Sequence, residues 1–182
     1  MKRIPTLAAT CLFLFTASAQ WTPLTSGLTS IRSMTHMGTD LYAVNYPNGV
    51  KKSTDGGSTW NPVNTGLPSV GSNVFCESVG YNGSYLFAGT QSGIYRSNDA
   101  GASWALANGS LVASNSVYAN KWFVNSGVTM AIFAGSVANG GGIWRTSNNG
   151  DTWFIGHSGM GSNETVNAVT LVRATLYAST NV

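Results

Sequence analysis

The sequence predicts an all-β fold of repeated four-stranded antiparallel units, the blades of a β-propeller. Three observations carry that prediction. A segment of eleven residues recurs three times without gaps, at 50–60, 94–104 and 143–153. The copies start 44 and 49 residues apart, and a period of about 40–50 residues suits a four-stranded blade. The composition is that of short strands joined by tight turns: 22 glycines among 182 residues, 43% hydrophobic, 11% aromatic and only 8% charged. An ordinary globular chain carries about 25% charged residues. Disorder needs low hydrophobicity with high net charge, and neither is present. The glycines lack the three-residue period of collagen.

The N-terminus reads as an export signal. Lys2 and Arg3 precede an apolar run at 7–15, which ends in Ala17-Ser18-Ala19. That is a charged region, an apolar region and a small-x-small cleavage site. The run is shorter than the roughly 20 residues a spanning helix needs, so no membrane span is expected. Cleavage is expected after Ala19, giving a signal peptide at 1–19 and propeller repeats at 20–182. The formal net charge is +3. Removing Lys2 and Arg3 leaves seven basic residues against six acids. No basic stripe remains to hold phosphates, so nucleic acid is not an expected partner. Cys11 lies inside the apolar run, which continues past it, so lipidation is not expected. Cys76 follows Val74 and Phe75 and is expected to be a buried small hydrophobe.

Each repeat then unfolds in order. A first strand is expected near 31–37, 74–79, 117–124 and 166–172, rich in β-branched and aromatic residues. A second is expected at Leu-Tyr-Ala-Val 41–44, Leu-Phe-Ala-Gly 86–89, Ile-Phe-Ala-Gly 132–135 and Leu-Tyr-Ala-Ser 176–179. The third strand carries the residues before Asp55, Asp99 and Asn148, and the fourth starts at the tryptophan. The segment 21–28 matches 60–67 closely yet has no motif before it. The repeats therefore amount to about three complete blades plus partial ones. The expected ring is incomplete, and the chain reads as an N-terminal part of a longer protein.

The shared pattern is aliphatic, any, basic, Ser/Thr, any, Asp/Asn, any, Gly, any, Ser/Thr, Trp. Asp55, Asp99 and Asn148 are suited to accept backbone N–H bonds in a tight turn. Gly57, Gly101 and Gly150 suit positive φ. The hydroxyls of Ser53, Ser97 and Thr146 can bond the same loop, with Thr59, Ser103 and Thr152 completing the pattern. Trp60, Trp104 and Trp153 supply large buried area, and each indole N–H needs a partner. Asn148 keeps the acceptor and loses the charge. That exchange suits a turn and is awkward for a general acid or a metal ligand.

These residues resemble the Asp-box, or BNR repeat, and the chain is similar to the Asp-box propeller superfamily. Its members include sialidases, sortilin-type receptors, xyloglucan-cleaving glycoside hydrolases and photosystem II assembly factors. The resemblance implies a propeller with the box in the hairpin between the third and fourth strands of a blade.

A search for chemistry yields little. A glycosidase needs two carboxylates flanking the scissile bond. With Asp55, Asp99, Asp151 and the turn residue Asp40 given other uses, Glu77 and Glu164 remain. A pair of Glu77 with Glu164 or Asp40 can be proposed only by elimination, with surface or turn acids the favoured reading. Arg96 and Arg145 are equivalent positions, with Lys52 in the other copy. A position repeated around a ring does not converge on one substrate, so stems packing on neighbouring aromatics are expected. Arg32 and Arg173 complete the arginines beyond the signal. Sialidases carry an Arg-Ile-Pro motif, but Arg3-Ile4-Pro5 falls within the signal. His36 and His157 have no ligand-spaced partners, so no metal or cofactor is expected. Trp122 and Trp144 could stack on sugars, with core packing the favoured use. The expected function is a secreted, non-catalytic module that binds a protein or glycan ligand, or acts as a scaffold, at or outside the cell surface. The alternative is a secreted glycoside hydrolase of sialidase or xyloglucanase type whose catalytic residues lie largely beyond this chain.

Overall fold

The computed structural model describes residues 27–109, 111, 119–125, 128–133, 142–161, 165–172 and 175–181. The expected signal peptide and residues 21–26 of the strand expected at 21–28 lie outside the described residues, and Gly27 and Leu28 are in no strand. Among the described residues every regular element is a strand. No helix there is long and apolar enough to cross a membrane.

Three four-stranded antiparallel sheets follow one another along the chain, each with its strands in sequence order. The first holds β1 (Ile31–Met37), β2 (Asp40–Asn45), β3 (Val50–Ser53) and β4 (Asn61–Pro62). The second holds β5 (Cys76–Tyr81), β6 (Leu86–Thr90), β7 (Gly93–Ser97) and β8 (Ala105–Leu106). The third holds β9 (Ala119–Asn125), β10 (Val128–Phe133), β11 (Gly142–Thr146) and β12 (Phe154–Ile155). A two-stranded sheet of β13 (Thr165–Val172) and β14 (Thr175–Asn181) completes the series. Successive first strands pack together, β1 on β5 and β5 on β9.

Three details differ from the sequence reading. The second strand of the third blade starts at Val128, ahead of the expected 132–135, of which 134 and 135 lie outside the described residues. Its first-strand neighbour is long enough to pair with the earlier residues, Val128 to Asn125 and Thr129 to Val124. The first strand of the second blade begins at Cys76, not Val74, because Val74 bridges to Asn48 of the preceding blade. The fourth strands are two residues long and begin after the tryptophan. The tryptophan side chain turns inward, while the strand that follows forms the outer edge. Pro62 lies on that edge, where a missing N–H costs nothing.

The core lies between blades. Alternation along a strand sends successive side chains to opposite faces. In β6, Leu86 and Ala88 join Tyr42, Val44, Val50, Val79 and Trp104 in the layer between the first and second blades. Phe87 points the other way, into a layer with Ile94, Ala107 and Trp153. All of β6 is therefore buried. A smaller layer of Ile143 and Val166 joins the third blade to β13 and β14.

Candidate functional site

Each of the three repeated segments forms a tight turn between the third and fourth strands of its blade. In the first, Ser53 Oγ donates to Asp55 Oδ1 at 2.7 Å and accepts the Gly57 N–H at 2.8 Å. Asp55 Oδ1 accepts the Thr59 N–H at 2.9 Å, and Oδ2 accepts the Thr59 hydroxyl at 2.6 Å. The second turn repeats this geometry. Ser97 donates to Asp99 at 2.7 Å, Gly101 N donates to Ser97 Oγ at 2.9 Å, and Ser103 gives Asp99 both its N–H and its hydroxyl. Gly57 needs its φ of +94° to present that N–H, a conformation a side chain would penalise. These donors favour the charged carboxylate and pull Asp55 and Asp99 down to about 2, with the Thr59 and Ser103 hydroxyls the largest causes.

The third turn makes the same shape with an amide. Thr146 Oγ1 donates to Asn148 Oδ1 at 2.8 Å and accepts the Gly150 N–H at 2.9 Å. Asn148 Oδ1 accepts the Thr152 N–H at 3.0 Å. One bond reverses: Asn148 Nδ2 donates to Thr152 Oγ1 at 2.8 Å. A hydroxyl can both donate and accept, so Thr152 serves either partner.

The tryptophans fasten blade to blade. The Trp104 indole donates to the Val63 carbonyl at 2.8 Å, and the Trp153 indole to the Ala107 carbonyl at 2.8 Å. Both acceptors lie three residues past the preceding tryptophan. The equivalent carbonyl for Trp60 belongs to Leu24, outside the described residues. Trp60 donates instead to Gly57 of its own turn at 3.0 Å. The residue between the Asp/Asn and the Gly of a turn takes left-handed φ, as Ala100 (+58°) and Asn149 (+57°) do. Its carbonyl faces the preceding blade, where the Tyr42 hydroxyl reaches Ala100 and Arg96 reaches Asn149.

A second repeated device escaped the sequence reading. Asn64 Oδ1 accepts the Val50 N–H at 2.8 Å, and Asn108 Oδ1 accepts the Ile94 N–H at 2.8 Å. In the third blade, His157 Nδ1 meets the Ile143 N–H at 3.1 Å. Each clamp closes over a glycine. A Cβ on Gly93 would lie 2.5 Å from the Asn108 side chain, and one on Gly142 would lie 2.7 Å from His157 Nδ1. The signal was the equal spacing of Gly49 with Asn64 and of Gly93 with Asn108. His157 in the third copy hid it. Asn108 also begins an Asn-Gly-Ser glycosylation pattern, but its side chain is committed to the clamp.

The charged residues mostly pair with one another. Arg32 and Glu77 form an ion pair between β1 and β5, with the guanidinium stacked 3.4 Å from the Tyr46 ring centre. Lys52 pairs with Asp40 at 2.8 Å, and Arg96 with Asp151 of the next blade at 2.8 Å. Lys52 lies over Tyr42 and Arg96 over Tyr85, as their repeat equivalence suggested, while Arg145 is exposed. Trp122 and Trp144 pack against the cluster of Phe87, Ile94, Ala107 and Trp153. Cys76 is fully buried, and burial pushes its thiol up to about 12. His36 is exposed and meets only the nearby Gly38 carbonyl among the described residues. Glu164 and Arg173 lie outside the described residues.

No family model and no curated protein matches this sequence. Solved structures do. The extracellular domain of BT4673 from B. thetaiotaomicron superposes with a TM-score of 0.66 at 16% identity, covering 88% of this chain and 21% of its own. An ancestral GH74 enzyme gives 0.64 at 20% identity, covering 89% of this chain and 23% of its own. The fold is that of a β-propeller. The GH74 xyloglucanase from Xanthomonas campestris gives 0.51 at 20% identity, covering 76% and 24%. The chain thus spans about a fifth to a quarter of the length of these propeller proteins. At these identities the likeness speaks for the fold alone, and among the described residues the sheets do not close into a ring.

Proposed function

We propose that this chain is the blade-forming part of a secreted Asp-box propeller. Residues 1–19 are read as its export signal. The propeller is read as a non-catalytic module that presents loops to a protein or glycan ligand, or acts as a scaffold, at or outside the cell surface. One observation carries this reading: the most distinctive polar residues of the sequence are engaged within their own turns. The same turn forms whether its central residue is Asp55, Asp99 or the uncharged Asn148, so the motif acts through hydrogen-bond geometry rather than through acid–base chemistry. Loops on a rigid ring are well placed for recognition. The extracellular domain among the similar structures supports the location.

The second reading is a glycoside hydrolase, favoured by the GH74 enzymes among the similar structures. Fold analogy is a weak warrant for chemistry, and Glu77 is engaged by Arg32. A glycan array and a fluorogenic-glycoside screen on the purified protein separate the two. The module reading expects binding without turnover. Hydrolysis lost in Glu77→Gln or Glu164→Gln would overturn it.

A further inference from the structure

The first strands share an irregularity at one level of the fold. Each of β1, β5, β9 and β13 carries a β-bulge where it meets the second strand of its blade. Arg32 is the extra residue of β1, between Ile31 opposite Asn45 and Ser33 opposite Val44. Glu77 holds that place in β5, Asn120 in β9 and Asn167 in β13. A bulge re-aims a side chain, and bulges are over-represented next to active sites. All four bulged residues are polar. The Asp-box turns keep one chemistry from copy to copy, as a structural role requires. The bulges instead hold a cation, an anion and two amides.

The bulges lie at the end of the blades away from the Asp-box turns. Arg32 is level with Val44, which pairs with Val50, whereas Ser53 at the start of the first turn is level with Leu41. The first strands pack on one another, β1 on β5 and β5 on β9, so neighbouring bulges come together. Arg32 and Glu77 do so, and their side chains pair. The pair is only half used. Arg32 gives Nη1 to Glu77 Oε2, and neither group makes a further hydrogen bond among the described residues. The Arg32 side chain is 39% exposed. Tyr46, beneath the guanidinium, and Phe75 form an aromatic wall beside it, with ring centres 5.7 Å apart.

We propose that the bulged pair Arg32 and Glu77, walled by Tyr46 and Phe75, binds a neutral carbohydrate. This rests on the glycan-binding form of the module reading and states where the glycan sits. A guanidinium only donates and an ionised carboxylate only accepts. Side by side, their remaining N–H groups and oxygen match two neighbouring hydroxyls, each of which can do both. The two charges cancel, and an anion drawn to Arg32 would meet the Glu77 carboxylate beside it. A metal is not the fit, since no group of three ligating side chains gathers among the described residues. The exposed Asn167 on β13 carries the row of polar bulges on.

The test starts from an array of neutral, sialylated and sulfated oligosaccharides, xyloglucan fragments included, probed with the whole protein. Neutral oligosaccharides should bind; signal confined to the sialylated or sulfated ones overturns the proposal. The neutral oligosaccharide with the strongest signal is then titrated by calorimetry. Arg32→Gln with Glu77→Gln, which removes both charges together, should weaken binding about tenfold or more. Arg96→Gln, at the far end of the blades, should leave it unchanged. Amide shifts of the wild-type protein give a measure that needs no variant. The same oligosaccharide should move the signals of Arg32, Tyr46 and Glu77 and leave those of Gly57 and Gly101 in place. Binding that survives the double substitution in a folded variant, or shifts at the box turns instead, overturns the proposal and leaves the module reading standing. An array with no bound glycan overturns both the proposal and the glycan form of that reading.

Discussion

Trp104→Ala removes at once the burial and the fastening that the second turn supplies. Trp104 is 5% exposed and packs in the layer with Tyr42, Val44, Val79 and Leu86. Truncating a buried tryptophan costs about 3–5 kcal/mol. The indole also donates to the Val63 carbonyl of the first blade at 2.8 Å, a bond worth about 1 kcal/mol net. Trp104→Phe helps to separate the two, because it keeps an aromatic ring in the layer and removes the donor together with part of the indole's area. It should cost about 1–2 kcal/mol. Against a domain stability of about 5–15 kcal/mol, the alanine variant loses a large fraction. At about 2–4 °C per kcal/mol for a unit of this size, its melting point should fall by roughly 6–20 °C. Thermal melts followed by circular dichroism, with urea titrations as a second measure, give both numbers. An alanine variant that melts with the wild type would refute the placement of Trp104 in the core. A phenylalanine variant as damaged as the alanine one would refute the division between burial and fastening.

Three further outcomes follow from the same geometry. Asp55 and Asp99 are held near 2, below the ordinary carboxylate value of 3.8. Their contribution to stability is therefore complete above that value and lost as pH falls through it toward 2. Asp55→Asn with Asp99→Asn should flatten the acid limb of the stability curve, as read by melts between pH 5 and pH 2, because the part of the stability that depends on the carboxylate charge is then absent at every pH. Gly93→Ala should be destabilising by about 1–3 kcal/mol, since φ is +122° and the new Cβ would lie 2.5 Å from Asn108; equilibrium urea unfolding measures this, and a neutral result would remove the clamp from the second blade. Cys76, fully buried with its thiol pushed up to about 12, should resist iodoacetamide in the native protein at pH 8 and react once urea exposes it; mass spectrometry distinguishes the two.

The turns were legible because their hydrogen bonds are local. Ser53, Asp55, Gly57 and Thr59 lie within seven residues, so the chemistry of the turn appears directly as a spacing. The strands were legible from alternation and from the 44- and 49-residue period. What binds one blade to the next was not legible, for a physical reason. The acceptors of the Trp104 and Trp153 indoles are the backbone carbonyls of Val63 and Ala107, and a backbone carbonyl leaves no mark on residue type. The clamps were partly legible, since Gly93 and Asn108 repeat the spacing of Gly49 and Asn64. They join the two sides of an outer hairpin, so their partners sit 14 residues apart, beyond the reach of a turn motif. The Arg32 pairing with Glu77 spans 45 residues and depends on how two blades meet.

The direction of the indole bonds determines how damage should spread. Trp104 belongs to the second blade and fastens the first; Trp153 belongs to the third and fastens the second. Each turn therefore stabilises its own hairpin through Asp or Asn, and the preceding blade through Trp. In a repeat array, stability is close to a sum of unit and nearest-neighbour terms. Asp99 acts mainly on the unit term and Trp104 on both. Losing the Asp99 carboxylate should loosen one hairpin, whereas losing Trp104 should also free the outer strand of the first blade. That asymmetry gives a physical reason why Asn replaces Asp at position 148 while tryptophan stands in all three copies. The amide preserves the turn, but no smaller side chain can both fill the layer between two blades and reach across it to a carbonyl of the neighbour.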